Sequence, residues 1–274
     1  MDGWGNLGII GVGAMGGALV ESIAASGKVT ADKIAIFDQR RSHAEGLAKR
    51  LGVRMLDIKS LAACADAIIV AVKPQDMAQV LVDLEPYLTA EHLIISLAAG
   101  ISLDKFADWV GPKQPVVRAM PNTPCLVGEG AIALSPNRYV CPKQLEFTRF
   151  LFEATGKVWV LPEQMMGAVT GVSGSGPAYV FLFLEAFIEG GVAAGLNYEV
   201  ATGLALQTLL GACKLMMETG DHPAILKNKV TSPAGTTAVA LRELEAGKLR
   251  SIVVEAVLKA SAWPVELGSD EPEG

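Results

Sequence analysis

The chain has 274 residues, 51% hydrophobic and 19% charged, enough to bury a sizeable core and too apolar for a chain disordered in bulk. A net charge of −6 excludes the basic surface that a nucleic-acid backbone requires as partner. The four cysteines (Cys64, Cys125, Cys141 and Cys213) form no CxxC pair and lie far from any histidine in sequence. That pattern predicts neither a metal site nor a disulfide framework, but reduced thiols in a cytoplasmic protein.

Met1–Gly5 has neither a basic start nor a long apolar run, so no signal peptide is expected. Leu7-Gly8-Ile9-Ile10 reads as a strand, and Ala14–Ser26 as a helix stopped by Gly27. Ile34–Phe37 is a second strand, followed by a helix over Ser42–Leu51. Ala67–Val72 is a continuous apolar strand ended by Lys73-Pro74, then Gln75–Leu84 is helical. Leu93–Leu97, Val116–Met120, Gly130–Leu134 and Gly156–Val160 complete the strands. Apolar runs without alternation predict a mostly parallel sheet covered on both faces. The βαβαβ order makes this an α/β chain with an N-terminal Rossmann-type doubly wound sheet.

Strand signals nearly vanish after Leu161-Pro162. Met165–Val172, Ala178–Ala194, Tyr198–Thr219, Pro223–Val230, Thr236–Ala246 and Arg250–Trp263 read as helices, with Asn197 as an N-cap and Gly195, Gly220 and Gly247 as stops. The expected division is therefore 1–162, binding a dinucleotide, and 163–274, all-helical, for substrate binding and dimerisation. Ala178–Leu184 is the most apolar stretch. Glu185 and Glu189 interrupt it short of the ~20 apolar residues a membrane span needs, so it reads as a buried helix and no membrane is expected. Gly190-Gly191 and Ala193-Ala194 allow close helix approach, and the apolar helices favour burial against a second copy. The tail Gly268–Gly274 is acidic and expected to fray.

Gly11-Val12-Gly13-Ala14-Met15-Gly16 is a GxGxxG loop between a strand and a helix, the context in which that motif holds a dinucleotide pyrophosphate. Gly11 makes the turn, Gly13 admits the phosphates, and Gly16 lets the helix pack close; Ala14 and Met15 present helix-start N–H groups. Asp38 ends the second strand, where a carboxylate suits the free 2′-OH of NAD(H). Arg40, Arg41 and Ser42 follow at once and suit the 2′-phosphate of NADP(H). The two signals conflict, and the arginines tip the balance to NADP(H), with NAD(H) as the alternative. Ala71, Val72, Lys73 and Pro74 at the end of the third strand, and Ala98, Ala99 and Gly100 near the end of the fourth, border the same crevice. Asn122, in Met120-Pro121-Asn122-Thr123-Pro124, either offers its amide to the nicotinamide or the substrate, or belongs to a structural turn.

The segment His222–Leu244 contains Lys229-Val230-Thr231-Ser232-Pro233-Ala234-Gly235-Thr236-Thr237, a polar turn opening onto a helix start. Exposed N–H groups around Gly235-Thr236-Thr237 suit a carboxylate, and the threonines add hydroxyls. An ordinary capped helix is the competing reading. This segment resembles the signature of pyrroline-5-carboxylate reductases. Ala71–Pro74, Arg118–Pro124 and Gly171–Tyr179 are similar to that family's other blocks, in its order, over nearly the whole chain. Ala234 departs from the pattern, which usually has glycine there, and Asp38 departs from a small hydroxyl residue.

The resemblance implies reduction of (S)-1-pyrroline-5-carboxylate to L-proline, the last step of proline biosynthesis, in a homodimer or a larger dimer-based oligomer. It further implies that the Thr237 hydroxyl contacts the imine nitrogen and that the Thr236 and Thr237 N–H groups hold the carboxylate. Val230 then packs on the ring, and Lys229 and Ser232 line the same turn, which Pro233 and Gly235 shape. No Ser-His-Asp set or acid pair is visible, and His43, His92 and His222 read as surface or capping residues. Catalysis is expected to rest on positioning, with the proton drawn from solvent or substrate. Two rival readings are a 3-hydroxyacid dehydrogenase-like enzyme, for which Lys214 has no matching motif, and a non-catalytic dinucleotide sensor.

Overall fold

The computed structural model describes residues 5–269, and from residue 263 onward the backbone alone. Met1–Trp4 and the last five residues of the acidic tail lie outside the described residues; Gly268 and Ser269 are helical. By compactness the chain divides into one unit of residues 1–175 with 259–274, and a second of 176–258.

The first unit is built on eight strands: β1 (Leu7–Ile10), β2 (Ile34–Phe37), β3 (Arg54–Met55), β4 (Ala67–Val70), β5 (Leu93–Ser96), β6 (Val116–Met120), β7 (Gly130–Pro136) and β8 (Gly156–Val160). They lie in the order β3-β2-β1-β4-β5-β6-β7-β8. All pairs are parallel except β6 with β7. Helices α1 (Ala14–Ala25), α2 (Arg41–Leu51), α3 (Ile58–Cys64), α4 (Pro74–Leu84), α5 (Leu103–Val110) and α6 (Pro142–Phe152) follow strands. The β6–β7 link carries only a short 3-10 turn, Thr123–Val127. A parallel return needs a long crossover, so this strand comes back antiparallel.

Alternate strand residues feed two separate cores. Leu7, Ile9, Ile34, Ile36, Ile69 and Ile95 join one with Leu19, Leu47 and Phe152. Ile10, Ala35, Ile68, Val70 and Ile94 join the other with Leu61, Leu81 and Phe106. Successive strand side chains point to opposite faces, so both faces of the sheet are covered, as the unbroken apolar runs predict.

The segment expected as one helix over Met165–Val172 is helical throughout but changes type along its length. A 3-10 turn, Glu163–Met165, leads into α7 (Met166–Val169), and a π turn occupies Thr170–Gly174. The Ser175 N–H reaches the Thr170 carbonyl at 2.8 Å. The Thr170 and Ser173 hydroxyls donate to the Met166 and Val169 carbonyls, competing with the α ladder.

The second unit holds α8 (Gly176–Ala193), α9 (Tyr198–Thr219), α10 (Pro223–Lys229), α11 (Thr236–Ala246) and the start of α12 (Leu249–Ser269). Asn197 caps α9, accepting from the Val200 N–H at 2.9 Å. A Cβ built on Gly191 would lie 3.1 Å from that of Ala201, so glycine permits the close approach of α8 and α9. The expectation of a buried α8 is not met within the chain. Among the described residues Val180, Phe181 and Leu182 are 51, 64 and 68% exposed. Among the described residues, Glu163–Ala193 and Tyr198–Thr219 are also long and apolar enough to cross a membrane by length and composition, despite Glu185 and Glu189.

Candidate functional site

The order β2-β1-β4 places a topological switch point beside β1, where the chain turns from one half of the sheet to the other. Open α/β sheets bind ligands outside the carboxyl ends of strands at such a point. The Gly11 N–H donates to the Phe37 carbonyl and the Ala71 N–H to the Ile10 carbonyl, both at 2.8 Å, and the Leu97 N–H to the Val70 carbonyl at 3.1 Å. The ends of β2, β1, β4 and β5 are thereby stitched side by side. Gly11, Gly13, Ala14, Met15, Gly16, Asp38, Arg40, Ala71, Val72, Lys73, Pro74, Ala98, Ala99 and Gly100 come to one edge of the sheet.

Three glycines shape the loop for different reasons. Gly11 has φ +88, and a Cβ there would lie 2.9 Å from the Ala71 carbonyl oxygen and from Val72 Cγ1. A Cβ on Gly16 would overlap the Gly11 carbonyl oxygen at 1.9 Å. A Cβ on Gly13 would meet nothing closer than Arg40 at 3.8 Å, so the space over Gly13 is open. Gly13 is the N-cap of α1, no side chain caps that end, and the first turn has no acidic residue. Unpaired N–H groups at a helix start with open space above them form an anion cradle, which fits a dinucleotide pyrophosphate.

Asp38 turns inward. Its Oδ2 accepts from the Val12 N–H at 2.9 Å and its Oδ1 from the Arg40 N–H at 2.8 Å. Arg40 is the N-cap residue of α2, and Arg41 bonds Glu45 at 2.9 Å. Lys73 is exposed and N-caps α4, with Pro74 at the first helical position. Ala98 is buried, its N–H bonded to Ser96 Oγ at 3.2 Å.

Asn122 does not offer a free amide. Its Nδ2 donates to the Ser173 carbonyl at 3.0 Å and its Oδ1 accepts from the Ala131 N–H at 2.9 Å. It ties the loop after β6 to the π turn and to β7, the structural alternative for this residue. Sequence reading also missed Glu163, whose Oε1 accepts from Arg118 Nη1 at 2.6 Å and from the Leu103 N–H at 2.7 Å. The two residues lie 45 positions apart, and no local pattern announces the pair.

In the second unit, α10, the following turn and α11 bring Lys229, Val230, Ser232, Gly235, Thr236 and Thr237 together. His222 caps α10 by accepting the Ala224 N–H at Nδ1, 3.2 Å away, as a capping histidine does. The Gly235 N–H donates to the Ser232 carbonyl at 3.1 Å, closing a turn with Pro233 second and Ala234 third. Ala234 has φ +58, in the left-handed region that the third position of a type II turn requires. Glycine suits that position best, which gives the glycine usual there its physical reason. A Cβ on Gly235 would lie 2.3 Å from Ser232 Oγ and 3.2 Å from the Ser232 carbonyl oxygen, so a side chain there would force the Ser232 hydroxyl to turn away. Gly235 then N-caps α11 without any side-chain cap, leaving the N–H groups of Thr236 and Thr237 facing outward from the helix start. Lys229 Nζ is held by Asp221 Oδ2 at 2.7 Å, and Val230 is 66% exposed.

Residues 163–267 match the family described as pyrroline-5-carboxylate reductase dimerisation, and residues 6–100 match NADP oxidoreductase coenzyme F420-dependent. A pyrroline-5-carboxylate reductase of Methanosarcina acetivorans is 40% identical over 263 residues, covering 96% of this chain and 97% of the relative. That of Escherichia coli strain K12 is 38% identical, covering 92% and 94%. The chain belongs to the pyrroline-5-carboxylate reductase family. A Plasmodium falciparum pyrroline carboxylate reductase, solved with NADP bound, superposes with a TM-score of 0.88 at 33% identity over 96% of this chain and 98% of that one.

As a member of this reductase family the chain is an oxidoreductase with a Rossmann-type dinucleotide fold, as its glycine loop and strand order predict. The dimerisation match spans α8 and α9, which carry exposed apolar residues among the described ones, and family membership makes it an oligomer-forming protein acting on a small molecule.

Proposed function

We propose that this chain reduces (S)-1-pyrroline-5-carboxylate to L-proline with NADPH, NADH being the weaker donor, as the last step of proline biosynthesis in the cytoplasm. The observation that carries the reading is the Ser232–Thr237 turn: an uncapped helix start beside two threonine hydroxyls, in a chain whose other unit carries a dinucleotide cradle. Residues 1–162 serve the nucleotide and 163–274 the substrate and pairing. Compactness divides the chain elsewhere because Glu163 and Ser173 bond back to the sheet unit.

Gly11, Gly13, Ala14, Met15 and Gly16 hold the pyrophosphate, flanked by Ala71–Pro74 and Ala98–Gly100. The bound dinucleotide supplies the hydride. The Thr236 and Thr237 N–H groups hold the substrate carboxylate, which a helix start favours by its partial positive charge. The Thr237 hydroxyl accepts from the protonated imine nitrogen in the substrate and fixes its ring. Val230 covers the apolar edge of that ring, while Ser232 and Gly235 keep the turn closed. Lys229, tied to Asp221, fixes the end of α10. These groups align reactants rather than exchange protons, and alignment to a near-attack distance of about 3–3.5 Å is itself a large catalytic term. The proton on the imine nitrogen comes from solvent or arrives with the substrate.

The exposed apolar residues of α8 and α9 pair with a second copy, as a homodimer or a dimer-based larger oligomer, rather than with a membrane. Light scattering of the purified chain tests this: an even-numbered oligomer is expected, and a detergent-free monomer would refute it. For the activity, purified protein is mixed with 1-pyrroline-5-carboxylate and NADPH. Loss of absorbance matched by proline formation is expected, and no turnover with either dinucleotide would reject the reading.

A further inference from the structure

The end of β2 carries contradictory signals for the ribose, a carboxylate at Asp38 and a guanidinium at Arg40, and the geometry separates their tasks. Each Asp38 oxygen already accepts a backbone N–H, from Val12 in the glycine loop at 2.9 Å and from Arg40 at 2.8 Å. The Asp38 side chain is only 10% exposed. Each carboxylate oxygen can accept a second hydrogen bond, but this side chain turns both oxygens to the backbone and leaves little of them open to a ribose diol. Its charge is further offset by Arg40 Nε, 3.7 Å from Oδ1.

Arg40 is the opposite case, with a side chain 65% exposed. Its Nη2 is the nearest atom to a Cβ built on Gly13, at 3.8 Å, so the guanidinium stands beside the glycine that admits phosphate. The neighbouring cation, Arg41, is engaged along its own helix by Glu45. A planar guanidinium anchored at its backbone is suited to bidentate binding of a phosphate monoester.

We propose that Asp38 is a positioning residue, clamping the glycine loop to the start of α2, and that Arg40 reads the 2′-phosphate and sets the preference for NADP(H). This rests on the dinucleotide-binding reading above. It reverses the usual inference from an acidic residue at this point, which would be NAD(H).

The test is direct titration of NADP⁺ and NAD⁺ into the intact protein by calorimetry, without substrate, for wild type, Asp38→Asn and Arg40→Ala. Asparagine can accept only one of the two N–H groups, and its own amide opposes the other. Asp38→Asn is expected to weaken both dinucleotides alike, by about 10-fold, leaving their ratio in place. Arg40→Ala is expected to weaken NADP⁺ by about 10- to 100-fold and to bring the two affinities together. A role for Asp38 in fold stability alone would shift the melting temperature and leave both affinities of the folded protein unmoved, which would overturn the proposal. Selective loss of NAD⁺ in Asp38→Asn would make Asp38 a ribose reader and also overturn it. Equal weakening of both ligands by Arg40→Ala would assign Arg40 to the pyrophosphate, against the proposal. If Asp38→Asn does not fold, Arg40→Ala, an exposed substitution, still decides the specificity claim. Wild type binding neither dinucleotide would defeat the dinucleotide reading itself, a result distinct from any change in the ratio.

Discussion

Gly13→Ala and Gly16→Ala, one loop turn apart, separate folding from binding. A methyl on Gly16 would sit 1.9 Å from the Gly11 carbonyl oxygen, against an unstrained carbon–oxygen contact of about 3.3 Å, so the loop and α1 must part by about 1.4 Å. Such overpacking costs about 1–3 kcal/mol, and at about 2–4 °C per kcal/mol for a domain of this size the melting temperature drops by several degrees. A methyl on Gly13 meets nothing closer than Arg40 at 3.8 Å, and the residue already has an extended backbone, φ −66 and ψ −159. Gly13→Ala should therefore melt within about 2 °C of wild type. The same methyl occupies the space a phosphate must enter. Pushing the phosphate off its N–H donors loses hydrogen bonds to a charged group worth about 1.5–3 kcal/mol, so NADP⁺ affinity should fall by about 10- to 100-fold. Thermal melts with and without NADP⁺, paired with calorimetric titration, read both quantities. A Gly13→Ala variant that binds NADP⁺ as wild type does would refute the placement of the pyrophosphate over this loop.

Three further outcomes follow from local geometry. Ala234→Gly should raise the melting temperature by up to a few degrees. Relief of a left-handed alanine, about 1–2 kcal/mol, exceeds the chain-entropy cost of glycine, about 0.4–1 kcal/mol; a fall of several degrees would refute the strain. Glu163→Gln removes the charge that joins Arg118 to the Leu103 N–H, with side chains 13% and 31% exposed for Arg118 and Glu163. A loss of about 1.5–3 kcal/mol in urea unfolding is expected, and an unchanged midpoint would refute it. Burial pushes the Cys125 thiol up from its ordinary value, with Asn122 and Thr155 partly opposing the shift. It should resist alkylation at pH 8 until the protein unfolds, while exposed Cys141 reacts at once; peptide mapping that finds Cys125 labelled in the native state would contradict this.

Much of the fold is legible where chain punctuation coincides with packing. Gly11–Gly16 marks β1 and α1, and Asn197, Gly220, Pro223 and Gly235 bracket α9, α10 and α11 within about two residues of their observed ends. The short elements escape. β3 is two residues at a sheet edge and α3 seven, too few to impose a period. α5 and α6 escape as well, although Ser102 caps α5 and α6 is as long as α2 and α4. The site residues were nameable one by one, but the direction of their polar groups was not. Asp38 faces Val12 and Asn122 faces Ser173 through hydrogen bonds 26 and 51 positions long, which leave no local trace. The apolar character of α8 states that its face needs cover, not what supplies it. The match of residues 163–267 to a dimerisation family identifies the kind of surface, which no hydropathy pattern does.

Thr237→Ala, assayed beside wild type for both turnover of 1-pyrroline-5-carboxylate and direct NADP⁺ binding, decides whether the turn before α11 is the substrate site. Loss of one hydrogen bond to a charged group, about 1.5–3 kcal/mol, lowers kcat/KM by about 10- to 100-fold. The NADP⁺ affinity, set by the glycine loop in the other unit, stays at its wild-type value. Full turnover in Thr237→Ala, or a loss confined to NADP⁺ binding, would contradict the assignment of this turn to the substrate.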